Sequence, residues 1–299
     1  MTETLAPVAA DQLTPWENRG GIWYKREDAH RNAYGVNGSK FRACRHMMTN
    51  AILDGYEHVV SAQAMASPQS AICATLAEEL GMRCTIVVGA SKPETAVKHP
   101  NIALALTAGA ELDTGCRVAY NGTLQPYARE LAERLGAWQL PYAISMPDDA
   151  EREDLEAFSE VGGRQVENLP SEVQTLIVPF GSGNSAAGVL YGISRHLPAF
   201  SALRRIVLVG VGPDRSDWLR KRLEAVGAAG VYDDFQIDIM PLHPWFAEYA
   251  DRMPETQDGI DFHPVYEGKM IRFLNSAEPD WWTARDDTTG FWIVGGETR

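Results

Sequence analysis

Apolar, strand-like runs alternate with helical segments along most of the chain. The strand-like runs are at residues 58–61, 84–88, 175–180 and 205–210. Helical segments follow them, including one near residues 101–106 and one over residues 189–196. Strands that alternate with helices usually pair in parallel and are joined by right-handed helical crossovers. The pattern therefore predicts an α/β protein with two α/β layers.

Lys40 lies where a small, flexible loop meets the first turn of an amphipathic helix. Apolar side chains behind it recur at helical spacing and predict the buried face of that helix: Phe41, Cys44, Met48 and Ile52. An amine held at such a position in a partly desolvated pocket is a usable nucleophile. A lysine near a helix start is more often an ordinary solvated side chain, so this interpretation depends on the motifs that accompany it.

A glycine-rich turn follows the apolar run at residues 176–179 and precedes a helical stretch. Its candidate anion-binding residues are Gly181, Ser182, Gly183, Asn184 and Ser185. Glycines let backbone N–H groups approach a phosphate closely, and the helix start adds the positive end of its dipole. The turn has neither the Gly-Lys-Ser/Thr of a Walker motif nor a clean Gly-x-Gly-x-x-Gly pattern. On its own, such a turn is more often a tight connection than a phosphate site.

Ser67 and Pro68 follow another strand and open the next predicted helix, with Ser67 as its cap and Pro68 as its first residue. A helix start of this kind can hold a carboxylate, and a serine hydroxyl can accept or relay a proton. The same pair is also simply typical of a helix start.

Tyr266 and Glu267 lie together in a segment bounded by proline and glycine. The phenol could serve as an acid or base, and the carboxylate as a charge partner for a bound group. Most such pairs are surface groups, so the pair is a weak signal by itself.

Several short motifs occur in an order that spans most of the chain. Residues 23–28 read Trp-Tyr-Lys-Arg-Glu-Asp, residues 38–42 read Gly-Ser-Lys-Phe-Arg, and residues 265–269 read Val-Tyr-Glu-Gly-Lys. With the Ser67 helix start and the glycine turn, they resemble the pyridoxal-phosphate enzymes of the tryptophan-synthase β fold, called fold type II. Within that fold they resemble the group of 1-aminocyclopropane-1-carboxylate deaminase and D-cysteine desulfhydrase. The match at residues 265–269 is the most specific.

The resemblance implies that the chain binds pyridoxal 5'-phosphate and is a lyase or deaminase. Lys40 would form a Schiff base with the cofactor's aldehyde and exchange it for an amino acid or an amino-acid-like amine. The turn at residues 181–185 would bind the phosphate. Glu267 would face the ring nitrogen, where a carboxylate favours a carbanion intermediate. Ser67 and Tyr266 would complete the catalytic set.

The resemblance also implies an architecture. Two three-layer α/β domains with mostly parallel sheets are expected, with the cofactor in the cleft between them at the carboxyl ends of strands. The smaller domain, residues 45–145, would be inserted into the larger one, residues 1–44 plus 146–299. A homodimer is expected from the family alone.

The sequence departs from the family pattern at the expected substrate site. Pro68 stands where the family has asparagine, so a side-chain amide and a backbone N–H donor are both lost. Ser39 replaces another asparagine, and Gln69 replaces a histidine. Two alternatives therefore stay open. One is a pyridoxal-phosphate enzyme with an unconventional substrate, such as an amino-acid-modified nucleotide, and the other is a non-catalytic protein that binds the cofactor.

Composition limits the partners of the chain. It has 299 residues, of which 45% are hydrophobic, and a net charge of −13. Stable binding to duplex nucleic acid is not expected, because the negative charge repels phosphates. The basic run at residues 220–222 is interpreted as a solvated face. The acidic run at residues 147–154 is interpreted as a solvent-facing helix start.

Composition also indicates the setting. No apolar run approaches the roughly 18 residues that span a membrane, and the first residues lack the pattern of a secretory signal. The four cysteines occur singly, and no histidine pair has the spacing of metal ligands. Reduced thiols, no metal and a cytoplasmic location are expected.

Overall fold

The chain folds into two compact units. The computed structural model describes residues 12–89, 93–118, 120–243, 246–248 and 251–295. Of these, unit 1 contains residues 12–31 and those from 148 to 295, and unit 2 contains those from 32 to 147.

The predicted domain boundaries differ from the limits of these units at the amino-terminal side. The predicted boundary between residues 44 and 45 falls inside the helix Ser39–Leu53. That whole helix belongs to unit 2, because it packs on the helix Gln69–Leu80. Lys40 is therefore part of unit 2. The other predicted boundary, between residues 145 and 146, is close to the observed one.

The elements follow the alternation that the sequence predicts. The strands are β1 (Trp16–Arg19), β2 (Ile22–Arg26), β3 (His58–Gln63), β4 (Arg83–Val88), β5 (Glu111–Asp113), β6 (Trp138–Leu140), β7 (Thr175–Phe180), β8 (Arg205–Gly210), β9 (Gln236–Pro241), β10 (Thr256–Gln257), β11 (Ile260–Asp261) and β12 (Thr289–Ile293). The helices are α1 (Ser39–Leu53), α2 (Gln69–Leu80), α3 (Pro93–Ala96), α4 (Pro100–Thr107), α5 (Asn121–Leu135), α6 (Arg152–Gly163), α7 (Asn184–His196), α8 (Ser216–Ala225), α9 (Val231–Asp234), α10 (Glu267–Ala277) and α11 (Asp280–Thr283). Short 3₁₀ helices occur at Glu27–Ala29, Tyr142–Ile144 and Arg164–Val166. The four predicted strands are confirmed.

Unit 1 is built on a six-stranded sheet with the order β1-β2-β12-β7-β8-β9. β1 and β2 pair antiparallel, and the other neighbouring strands are parallel. α10 and α11 contribute Met270, Leu274 and Trp282 to the core, where they pack with Ile177 of β7 and Phe291 of β12. α7 packs against β7 and α6.

Unit 2 is built on a smaller parallel sheet with the order β5-β4-β3-β6. Val60 and Ala62 of β3 pack with Leu124 and Leu131 of α5. α2 contacts β3 and β4, and α1 contacts α2. The predicted fold class, two α/β parts with mostly parallel sheets, is confirmed. Within the described ranges, no helix combines the length and apolar character needed to cross a membrane.

Two local predictions were wrong, and a third was confirmed. Ile52 is 36% exposed, because it lies near the end of α1, where the chain enters an exposed turn, whereas Phe41, Cys44 and Met48 are buried as predicted. Arg222, predicted to be solvated, is 6% exposed and forms an ion pair with Asp148 at 2.8 Å. The acidic run does open a helix as predicted, since α6 begins at Arg152 with the exposed Glu153 and Asp154 in its first turn.

Glycines allow α6 and α7 to cross at very short distance. A Cβ placed on Gly192 of α7 would overlap the backbone carbonyl of Gly163 in α6. A Cβ placed on Gly188 would lie 3.7 Å from the Cα of Gly162. Since α7 carries the glycine turn at its start, this crossing helps to fix the direction in which the turn points.

We expect Gly192→Ala to lower the free energy of unfolding by about 1–3 kcal/mol, because the added methyl group forces the two helices apart. Gly230→Ala is the matched control. Gly230 has helical dihedral angles, and nothing lies within 4 Å of the position of its Cβ. Its stability should stay within about 0.5 kcal/mol of the wild type. Urea unfolding of both variants measures the difference, and equal midpoints would show that the helix crossing is not tight.

Candidate functional site

The glycine turn of unit 1 connects β7 to α7. β7 ends at Phe180 and α7 begins at Asn184. Gly183 precedes the helix with a φ of 97°, which side chains other than glycine rarely allow. The Ala187 N–H donates to the Gly183 carbonyl at 2.8 Å, so the helix is regular from its first turn. The N–H groups of a first turn have no acceptor within their own helix, which makes this end suited to an anion.

Glu267, the first residue of α10, is completely buried. Its Oε1 accepts the backbone N–H of Val294 at 2.6 Å. Its Oε2 is buried and has no hydrogen-bond partner among the described residues. Burial raises the pKa of Glu267 to about 8, against the lowering effect of backbone hydrogen bonds from residues such as Val294. A carboxyl group with one unused oxygen in such a place is ready to meet a donor.

Tyr266 precedes Glu267 and is half-buried. Its ring stacks on the imidazole of His263, with 4.8 Å between ring centroids and 27° between planes. His263 Nδ1 accepts the Val265 N–H at 3.2 Å, which orients the imidazole. A Cβ on Gly268 would overlap the Met253 carbonyl, so only glycine fits there. These contacts fix the position of the segment that contains Tyr266 and Glu267.

Lys40 is the second residue of α1 in unit 2 and is half-buried. Gly38 precedes the helix with a φ of 92°, so the flexible loop predicted here needs its glycine. α1 leads into β3 through the short segment 54–57, and therefore runs antiparallel to that strand. The first turn of α1, with Lys40, lies at the carboxyl edge of the unit 2 sheet.

Ser67 lies at the same edge, since α2 follows β3 and also runs antiparallel to it. Ser67 Oγ accepts the N–H of Gln69 at 3.2 Å, as expected of a cap, although α2 begins at Gln69 rather than at Pro68. Gln69 Nε2 donates to Ser61 Oγ at 3.1 Å, and Ser61 Oγ donates to Gln63 Oε1 at 2.8 Å. Unit 2 thus brings Lys40 and Ser67 to one edge beside a chain of polar groups.

The sequence matches the family model described as "Pyridoxal-phosphate dependent enzyme" over residues 6–258. This match covers most of the chain. The chain belongs to the pyridoxal-phosphate dependent enzyme family. It is therefore an enzyme whose cofactor is pyridoxal phosphate, and the predictions of the family and of the cofactor are confirmed.

Its relatives include two kinds of pyridoxal-phosphate enzyme. The O-seryl-dTMP PLP-dependent decarboxylase of Salmonella phage ViI is 27% identical, over 94% of this chain and 79% of that protein. A 1-aminocyclopropane-1-carboxylate deaminase of Cyberlindnera saturnus is 24% identical, over 85% of this chain and 79% of that protein.

Solved structures share the fold. A homologue of 1-aminocyclopropane-1-carboxylate deaminase matches with a TM-score of 0.70 at 20% identity, over 97% of this chain and 91% of its own. The processed form of threonine deaminase isoform 2 from Solanum lycopersicum matches with a TM-score of 0.63 at 16% identity, over 95% and 78%. At these identities the likeness shows the fold alone.

The residues of unit 1 fit two parts of pyridoxal phosphate. β12 and β7 are neighbouring parallel strands, so their carboxyl ends lie side by side, about 4.8 Å apart. The glycine turn follows β7, and Val294, which holds Glu267, follows β12. A helix start suited to phosphate and a buried carboxyl oxygen without a described partner therefore occur at adjacent strand ends. They match the phosphate and the ring nitrogen of the family's cofactor.

Sequence reasoning missed several residues around these groups. Trp218 of α8 packs against Gly183, and its indole N–H donates to Asp148 at 2.9 Å. In unit 2, Gln63 is completely buried, and its Nε2 has no hydrogen-bond partner among the described residues. Isolated tryptophan, aspartate and glutamine residues carry no spacing signal, so only the folded chain could reveal them.

We expect the free energy of unfolding of the cofactor-free protein to fall as the pH rises from about 5 to about 8. The cause is Glu267, whose pKa rises from 4.5 to about 8 on burial. Over this range the unfolded chain loses the proton while the folded chain keeps it, so the folded state loses stability as the pH rises. Glu267→Gln should remove this part of the pH dependence.

Urea unfolding of the cofactor-free protein at several pH values measures this effect. Glu153→Gln is the control, since Glu153 is exposed and lies in the same unit. Identical slopes for the wild type and Glu267→Gln would contradict the assignment.

Proposed function

We propose that this protein is a pyridoxal-phosphate-dependent lyase or deaminase that acts at the α-carbon of an amino acid or of an amine with an amino-acid-like group. Lys40 would hold the cofactor's aldehyde, residues 181–185 would hold its phosphate, and Glu267 would hold its ring nitrogen. The observation that carries the proposal is the buried Glu267 carboxyl group, whose Oε2 lacks a partner among the described residues. A carboxyl group in that state is unfavourable unless a ligand donates to it.

Glu267 sets how strongly the bound cofactor withdraws electrons from the substrate. When bound, the cofactor supplies a sink for the electron pair released at the α-carbon. A carboxylate beside the ring nitrogen stabilises the protonated form of that nitrogen and so strengthens the sink. Because its pKa is about 8, Glu267 carries a proton near neutral pH before the cofactor binds, and it can share that proton with the ring nitrogen. Glu267 therefore favours reactions harder than simple β-elimination.

Proton transfer is assigned to Lys40 and Tyr266. Binding of the substrate carboxylate is assigned to Ser67. The Lys40 amine would take or return a proton at the α-carbon of the substrate. The Tyr266 phenol, oriented by its stack on His263, is a second acid or base. Ser67 Oγ accepts the Gln69 N–H, which leaves its own O–H to donate to a substrate carboxylate.

We expect Lys40→Ala to abolish the absorbance of the covalently bound cofactor, because no other side chain is assigned to hold the aldehyde. Borohydride reduction of the wild type should add the cofactor's mass to the peptide that contains Lys40. Lys98→Ala, an exposed lysine of the same unit, should leave both signals unchanged. Glu267→Gln should keep the covalent cofactor but suppress turnover. A fully active Lys40→Ala protein would overturn the proposal.

A second candidate reaction is loss of CO₂ from an amino acid attached to a nucleotide. Two observations favour it. Pro68 offers no N–H at the start of α2, so the helix start holds a carboxylate less firmly. A carboxylate held by fewer hydrogen bonds is closer in energy to the transition state in which it loses its charge. The similarity to the O-seryl-dTMP decarboxylase of Salmonella phage ViI points to the same chemistry.

A panel of substrates separates these reactions. The holoenzyme is incubated with free amino acids, with 1-aminocyclopropane-1-carboxylate and with O-seryl-dTMP, and ammonia, keto acid and CO₂ are measured. Ammonia with a keto acid from a free amino acid supports the lyase or deaminase. CO₂ from O-seryl-dTMP without ammonia supports the second reaction. A spectrally normal holoenzyme that is silent across the panel contradicts both reactions.

A further inference from the structure

We propose that Trp218 is a positioning residue for the phosphate-binding turn, and that it sets how strongly this enzyme prefers the phosphorylated form of its cofactor. The inference rests on the proposed role of residues 181–185 as the phosphate site. A Cβ built on Gly183 would overlap the indole ring of Trp218 and would lie 2.7 Å from its Cε3 atom. The ring of Trp218 therefore packs against Gly183, the residue that precedes α7.

Trp218 is held by polar contacts on its edge. Its Nε1 donates to Asp148 Oδ1 at 2.9 Å, and Arg222 Nη2 donates to the same oxygen at 2.8 Å. These hydrogen bonds lower the pKa of Asp148, and the one from Trp218 contributes most. The Asp148 carboxyl group is therefore ionised at neutral pH. Asp148 is the first residue of the segment that returns to unit 1, so the contact ties the start of that segment to α8.

Trp218 is also held by cations near its ring. The guanidinium carbons of Arg215 and Arg222 each lie 5.1 Å from a Trp218 ring centroid. Cations at this distance from an indole stabilise its position. Arg222 is nearly buried, with a side-chain exposure of 5%, so its position is well defined. Asp214 fixes the start of α8 by accepting the N–H of Ser216 at 2.9 Å.

The contact with Trp218 matters because the backbone of a glycine can adopt many conformations. Gly183 has a φ of 97°, and a glycine turn without neighbours samples many other conformations. A phosphate binds well only when several N–H groups point at it together, and ordering them on binding reduces the affinity. Trp218 restricts Gly183 before the ligand arrives. Its removal should weaken binding of the phosphate and leave the imine chemistry at Lys40 untouched.

Two probes isolate the phosphate contribution. Pyridoxal 5'-phosphate and pyridoxal share the ring and the aldehyde, and only the first has the phosphate. The dissociation constants of both are measured on the cofactor-free protein by equilibrium dialysis. Trp218→Ala should raise that of pyridoxal phosphate about tenfold, because the turn must then be ordered on binding, and leave that of pyridoxal within about twofold. Trp218→Phe, which keeps a ring against Gly183, should retain most of the preference.

Trp281→Ala is the matched control. Trp281 is also a half-buried tryptophan of unit 1, with the Arg205 guanidinium carbon 5.5 Å from its ring centroid. This variant should lower the melting temperature of the cofactor-free protein and leave the ratio of the two dissociation constants unchanged. Asp148→Asn keeps an acceptor for the indole N–H but loses the charge that faces Arg222. It should weaken the binding of pyridoxal phosphate relative to that of pyridoxal about two- to threefold. Because Asp148 is 74% exposed, this variant tests the inference even if Trp218→Ala does not fold.

The outcomes distinguish this inference from the proposed function. A wild type that prefers pyridoxal phosphate, together with an unchanged ratio in Trp218→Phe, Trp218→Ala and Asp148→Asn, overturns the role of Trp218 alone. Equal weakening of both probes in Trp218→Ala also overturns it, since that result indicates general destabilisation. A wild type that binds both probes equally removes the phosphate role of residues 181–185, and the inference with it.

Discussion

The hydrogen bond from the Val294 backbone to the buried Glu267 carboxyl group joins two distant parts of the chain at the end of the central strands. Val294 follows β12 and Glu267 begins α10, so the bond fixes where α10 starts relative to the sheet. Only one carboxyl oxygen is used, and the other is buried without a partner among the described residues. A group in that state lowers the stability of the free protein and persists because the surrounding fold holds it. In the proposed function, the unused oxygen meets the ring nitrogen of the cofactor, and the stability given up there serves cofactor binding.

Close approaches of the backbone organise the rest of unit 1 around that point. Gly192 lets α7 lie on α6, Gly183 lets Trp218 reach the glycine turn, and Gly268 lets the start of α10 meet the Met253 carbonyl. In each case a methyl group would force a shift, so the spacing of these elements has little tolerance. The helices that carry the glycine turn and Glu267 are therefore fixed by packing within unit 1.

The residues assigned to the proposed function are divided between the two units, and each unit places them by the same topological rule. In unit 1 the glycine turn and Val294 follow the neighbouring parallel strands β7 and β12. In unit 2 the first turns of α1 and α2 lie at the carboxyl end of β3, which brings Lys40 and Ser67 to one edge. Parallel strands place all of their carboxyl ends on one side, so residues far apart in sequence collect there without any further device. The glycine turn and Glu267 belong to unit 1, and Lys40 belongs to unit 2.

The sequence by itself determined four of the strands, the fold class and the family. β7 and β8 could be predicted to the residue because parallel strands buried on both faces are short, continuous apolar runs. The glycine turn, Lys40, and the pair Tyr266 and Glu267 could be found because their types and neighbours form recognisable local patterns. Pro68 was visible as a departure for the same reason.

Only the tertiary structure decided which polar groups are buried and what they meet. Arg222 lies in a charged run that resembles a solvated face, yet it is buried because Asp148 pairs with it from another part of the chain. Trp218 carries no pattern that links it to Gly183. The raised pKa of Glu267 likewise depends on the elements that exclude water around it. Local patterns encode secondary structure because periodicity acts over a few residues, whereas desolvation and contact between distant side chains arise only when the whole chain has packed.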